Sequence, residues 1–97
     1  KLHETVLNRT LLDMMKYLNI GVVMMYIQQK ELFDEVTLRD IKEQRTATKA
    51  ISLLTDQLKQ RGQDTYEKFK ECLIQAKRED LKKILEEEEK IVAAEMK

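Results

Sequence analysis

Apolar side chains recur at spacings of three and four along most of the chain, the period of an amphipathic helix rather than the alternation of a half-buried strand. Leu7, Leu11, Met14 and Leu18 form one stripe, widened by Val6, Leu12 and Met15, and predict a first helix. The run from Ile20 to Ile27 is almost wholly apolar, and its β-branched residues would suit a buried strand. No other segment could pair with it, and a lone strand leaves its backbone groups unsatisfied. A second helix over residues 20–30 is therefore predicted, with Asn19 as its N-cap and Gly21 in its first turn. Glu31-Leu32-Phe33 reads as a connector that drops Phe33 into the core. Val36, Leu38 and Ile41 then mark a short third helix ending near Gln44.

The stretch from Thr46 to Leu85 is the most informative. Ile51, Leu54 and Leu58 line one stripe before Gly62, and Tyr66, Phe69, Leu73 and Ala76 line another after it. Thr46 or Thr48 can cap the fourth helix, Gly62 can take the positive φ of a helix end, and Gln63 or Asp64 opens the fifth. A polar corner at Lys77-Arg78-Glu79 separates the sixth, for which Asp80 is the expected cap and Leu81, Ile84 and Leu85 the docking residues. Helices this short cannot bury their apolar faces alone. The expected fold is all-α, a six-helix antiparallel bundle in whose interior Leu54, Tyr66, Phe69 and Leu73 meet. Beyond Leu85 come four successive carboxylates, Glu86 to Glu89, with no glycine or proline stop. Residues 86–97 are expected to continue as a solvated acidic helical extension or linker beyond a domain spanning 1–85.

Ninety-seven residues make a single domain, with room for one core but not for an enzyme-sized cavity beside it. The 18 basic and 18 acidic side chains cancel, so no net field draws the molecule to nucleic acid or to an anionic membrane, and any steering must be local. Cys72 is the only cysteine, which excludes an internal disulfide and suits a reducing, cytoplasmic setting. No apolar run approaches the roughly 20 residues that span a bilayer. The chain starts at Lys1, as a piece of a longer protein would. His3, the only histidine, has no second ligand at metal-binding spacing and is expected to be an ordinary surface residue. Cys72 lies beside the Phe69–Leu73 stripe with no positioned base, and is expected to be a buried, inert thiol. Gly21 and Gly62 are too far apart to form a phosphate loop. Neither a catalytic group nor a cofactor or metal site is expected.

Several segments carry a family likeness. They are Asn8-Arg9 in the first helix, Ile27-Gln28-Gln29-Lys30-Glu31-Leu32-Phe33, and the run from Leu58 through Arg61-Gly62 to Tyr66, Phe69 and Cys72-Leu73, followed by Asp80-Leu81 and Ile84-Leu85. Together they resemble the caspase recruitment domain (CARD) branch of the death-domain superfamily over about residues 5 to 85. The likeness is one of core positions and turn residues; Gln63 stands where proline is common, and Lys77-Arg78 replaces a frequent glycine. Within the branch, the Glu-Leu-Phe connector and the Arg-Gly turn look most like an initiator caspase prodomain.

The resemblance implies a death-fold bundle of Greek-key type that docks on another CARD-containing protein, or on itself, in apoptotic or inflammatory signalling, with no catalysis. It implies a basic surface from the first and fourth helices, for which Arg9, Lys16, Arg45 and Lys49 are the candidates. Glu31, Asp34, Glu35, Asp40 and Glu43 would supply the acidic counterpart. Thr48 and Ser52 occupy positions where cations are frequent, and Arg39 and Lys42 dilute the acidic side. Residues 20 to 27 hold more apolar side chains than one helix face needs, so Val22, Met25 or Tyr26 can be left exposed; core packing is the first expectation for them, and Met25 and Tyr26 are candidates for an apolar contact. An adaptor, scaffold or innate-immune sensor could carry the same module. A bundle of another kind could bind nucleic acid through Lys77, Arg78, Lys82 and Lys83, although the interleaved Glu79 and Asp80 argue against it.

Overall fold

Residues 2–96 are described by a computed structural model, and among them every regular element is a helix. In chain order these are α1 (Leu2–Tyr17), α2 (Ile20–Gln29), α3 (Glu35–Lys42), α4 (Ala47–Arg61), α5 (Gln63–Gln75) and α6 (Glu79–Glu95). The fold is a six-helix bundle. Several helices pair out of chain order: α1 lies against both α4 and α6, and α2 against α5, while α3 packs on its chain neighbour α4. The chain turns through 119° between α1 and α2. Lys1 and Lys97, which fall in the expected domain and extension, lie outside the described residues.

Local chemistry sets the boundaries. Asn19 accepts from the Val22 N–H at 3.3 Å, Asp34 from that of Thr37 at 2.9 Å and Thr46 from that of Lys49 at 3.1 Å, each filling an orphan donor in a helix's first turn. At the other ends, α2 and α5 close with the same motif. Glu31 (φ 54°) and Lys77 (φ 61°) take left-handed backbone, and the following N–H groups of Leu32 and Arg78 reach back to the carbonyls of Ile27 and Leu73 at 3.2 and 2.8 Å. Lys77 thus occupies the conformation that glycine adopts most readily. Gly62, at φ 94°, separates α4 from α5 as expected; a Cβ there would meet nothing, so the need for glycine is conformational and not steric.

The helical stripes supply one core. Leu54, Tyr66, Phe69 and Leu73 are all buried in it, with Val6, Leu7, Ile27, Phe33, Ile51, Leu58, Leu81 and Leu85. Truncating any of the larger of these to alanine should cost about 2–5 kcal/mol. Two residues assigned to stripes lie outside: Leu12 is 72% exposed and Val36 is 60% exposed. Each stands five residues from a core residue of its own helix, Leu7 and Ile41, and so points about 140° away from it. The third helix ends at Lys42, short of Gln44.

The remaining departures fall at the two ends of the chain. Asp80 does not cap α6; the helix begins at Glu79 behind Arg78, with no side-chain cap, and Asp80 pairs with Arg78 at 3.1 Å. His3 is no surface residue. It is buried in the first turn of α1, with Nε2 3.3 Å from the Lys59 carbonyl oxygen and its ring 5.9 Å from that of Tyr66. Nor does the chain change character after Leu85. α6 runs unbroken to Glu95 along α1, and Val92 is buried in the core with only 2% exposure. Leu81, Leu85 and Val92 follow one another at four and seven residues, so the stripe continues through the acidic run and seats it on the bundle. No single helix among the described residues is long and apolar enough to cross a membrane.

Candidate docking surface

The acidic candidates gather around α3. Asp34 has a structural task as N-cap, and the hydrogen bonds it accepts from Thr37 hold its carboxyl below the usual carboxylate range. Arg61 fixes this corner from behind: its guanidinium lies 5.4 Å above the Phe33 ring and donates to Thr37 Oγ1 at 3.2 Å. Glu31, Glu35, Asp40 and Glu43 are exposed, and among the described residues their carboxylates have no ion-pair partner. Arg39 and Glu43 do not form the pair that their spacing of four would allow. Lys42 donates to Gln28 at 2.9 Å. Acidic residues in the first turn of α3 favour the helix dipole, which accounts for Asp34 and Glu35 but not for Asp40 and Glu43.

The basic candidates divide into two kinds. Lys16, Arg45 and Lys49 are exposed, and their side chains make no ion pair or hydrogen bond among the described residues. Lys16 is in the last turn of α1, where a cation suits the dipole. Arg45 and Lys49 flank the N-terminus of α4, where the backbone N–H groups already carry partial positive charge and a cation is unfavourable. Beside Arg45 a shallow groove of ≈ 290 Å³ is floored by Ile20, Met24, Ile41 and Ala50. Arg9 is different. Its guanidinium makes a forked contact with Glu95, at 2.6 and 3.0 Å, and a further one with Glu88 at 3.3 Å. These carboxylates push the Arg9 pKa up, and Arg9 in turn pulls that of Glu95 down.

A second charged cluster lies at the junction of α5 and α6. Lys70 is buried to 6% exposure, yet it donates to Glu89 at 2.9 Å and pairs with Glu67 at 3.1 Å. Tyr66 donates to the same Glu89 oxygen at 2.6 Å, and the Lys70 ammonium stands 5.1 Å over the Tyr66 ring. Burial alone would lower the Lys70 pKa; its two carboxylate partners outweigh that and raise it. Burial, reinforced by Glu89, raises that of the Tyr66 hydroxyl. Spacing within α5 alone does not reveal this cluster, because a lysine one position after Phe69 looks like a solvated flank. The signal was the α6 stripe continued to Val92, which turns Glu89 toward α5.

The apolar candidates are unequal: Met25 is 63% exposed, whereas Tyr26 is half-buried against the core. Val22, one turn before Met25, is 38% exposed. Of the four basic residues near the last corner, Arg78 is held by Asp80 and Lys82 by Glu86, each at 3.1 Å. Cys72 is buried, and burial pushes its thiol up to about 11, so it stays protonated at neutral pH. No group of three metal-ligating side chains occurs among the described residues. The buried side-chain nitrogen and oxygen atoms among them all have hydrogen-bond partners. What the surface offers is separate patches of unmatched charge around a satisfied interior. Compared with models of known protein families, with curated proteins and with solved structures, the chain finds no significant match.

Proposed function

We propose that this chain is a homotypic docking module of the caspase-recruitment type, bringing an initiator caspase to an activating scaffold in apoptotic or inflammatory signalling. A module of the same kind on an adaptor, scaffold or innate-immune sensor would use the same surface. The observation that carries the reading is the placement of Arg45 and Lys49. Two cations beside a helix N-terminus, without a partner among the described residues, work against the stability of their own helix. Unmatched carboxylates at Glu31, Glu35, Asp40 and Glu43 supply the complementary patch. Six helices, several of them paired out of chain order, suit the family likeness of the core positions.

Two different patches on one molecule dock head to tail, which does not close on itself and can build rings or filaments. Single exposed ion pairs contribute only about 0.2–1 kcal/mol, so several contacts and avidity must act together. The test is charge reversal. Lys49→Glu should abolish binding to a CARD partner or to a second copy, and a Lys49→Glu protein mixed with an Asp40→Lys, Glu43→Lys protein should regain part of it. Undiminished binding by Lys49→Glu would remove the α4 surface from the reading. Nucleic-acid binding is the weaker alternative, because Arg78 and Lys82 already have carboxylate partners.

A further inference from the structure

Of the four basic candidates, only Arg9 is held, and its holders come from the far end of the chain. Glu88, Val92 and Glu95 stand at intervals of four and three residues on one face of α6. Val92 is buried in the core on this helix, which lies against α1, and the two carboxylates beside it close on the Arg9 guanidinium at 3.3 and 2.6 Å. An arginine gripped in this way has a carboxylate ligand of its own and cannot offer the same donors to a neighbour. The grip lies at the surface: the Arg9 side chain is 40% exposed, that of Glu88 24% and that of Glu95 52%. Exposed pairs of this kind are weak and screened by salt. A partner's carboxylate can therefore exchange with them without unpacking the core. Leu12 and Lys16, one and two turns further along the outer face of α1, remain open.

We propose that the C-terminal half of α6 restrains self-association by holding Arg9 with Glu88 and Glu95, so that a second copy of the chain docks fully on α1 only by displacing these carboxylates. The inference rests on the docking function proposed above and adds its regulation. The acidic run thus acts as an internal competitor for the basic surface. It mimics in the same chain the carboxylates that Glu35, Asp40 and Glu43 of the second copy would bring.

The experiment compares the concentration dependence of self-association, by sedimentation velocity, for the wild-type chain and three variants, each checked for helical content and thermal midpoint. Glu88→Gln/Glu95→Gln should lower the concentration for half-association about tenfold. Arg9→Gln loosens α6 equally but removes the cation, and should not strengthen association. Lys49→Glu should abolish association. The restraint is overturned if the double glutamine variant associates like the wild type, or if Arg9→Gln strengthens association as much as it does. An ineffective Lys49→Glu, with the glutamine pair still active, would instead fault the α4 surface. Absence of association in every variant overturns both.

Discussion

Along the seam where α6 meets α1 and α5, charge is matched inside the molecule: Arg9 is held by Glu88 and Glu95, and Lys70 by Glu67 and Glu89. Around α3 and the start of α4, Asp40, Glu43, Arg45 and Lys49 are just as charged and as close in sequence, yet among the described residues none has an ion-pair partner. The difference is one of supporting packing. Val92 and Leu85 fix α6 in a register that points its carboxylates at α1 and α5. Among the described residues nothing comparable covers the outer face of α3, whose Val36 is left exposed. Opposite charges in one small bundle thus do two jobs. Where an apolar residue holds the helices together, they add to stability. Where none does, they remain available to a neighbour.

The sharpest way to break the comparison is to attack the apolar residue that sets the register. Val92→Asp should destabilise the fold by about 3 kcal/mol, since it places a carboxylate at a buried position of the core. Urea denaturation followed by circular dichroism measures this. A loss below about 0.5 kcal/mol would show that residues 86–95 behave as a solvated extension after all. Lys70→Met should cost less, about 2 kcal/mol, because Glu89 keeps the Tyr66 hydroxyl and some solvent after the ammonium is gone. The methionine also keeps most of the packed stem.

Tyr66→Phe should cost about 1.5 kcal/mol near neutral pH, the low end for a hydrogen bond to a charged acceptor, because Glu89 keeps Lys70 as a second donor. Its pH signature is more diagnostic. The fold raises the Tyr66 pKa above its ordinary 10.0 and the Lys70 pKa above its ordinary 10.5. A raised value means that the folded state favours the protonated group. The stabilisation is therefore complete below pH 10 and is lost as pH climbs through the folded values. Wild-type stability should fall steeply above pH 10, and Tyr66→Phe should flatten that fall. Parallel curves for the two proteins would mean that the hydroxyl is neither buried in the fold nor tied to Glu89.

The helix order, most caps and the central core were legible in the sequence because they depend on neighbours within a few residues. Asn19 and Thr46 cap the helices that follow them, and Leu54, Tyr66, Phe69 and Leu73 meet, as their spacing requires. What was missed depends on contacts between distant segments. His3 lies buried under the last turn of α4, 56 residues away along the chain, and nothing near position 3 announces this. Arg9 read as a free cation because its partners lie 79 and 86 residues downstream. The four carboxylates of the acidic run look like a solvated tail, but Val92 continues the stripe of Leu81 and Leu85 and packs the run onto the bundle. Local charge density was a poor guide to exposure; helical phase was the better one.

Lys49→Glu should have the smallest effect on the fold, and the sign of that effect is informative. Lys49 is at the third position of α4, where the dipole favours an anion and disfavours the native cation. The substitution breaks no ion pair among the described residues, and Thr46 still caps the backbone N–H of position 49. The variant should therefore be stabilised by about 0.5 kcal/mol, visible as a rise of a few degrees in the thermal midpoint at low salt that shrinks at high salt. Association should disappear in the same protein. A residue kept for stability would behave the other way, losing stability on reversal and sparing association, and that result would move Lys49 out of the proposed docking surface and into the structural residues.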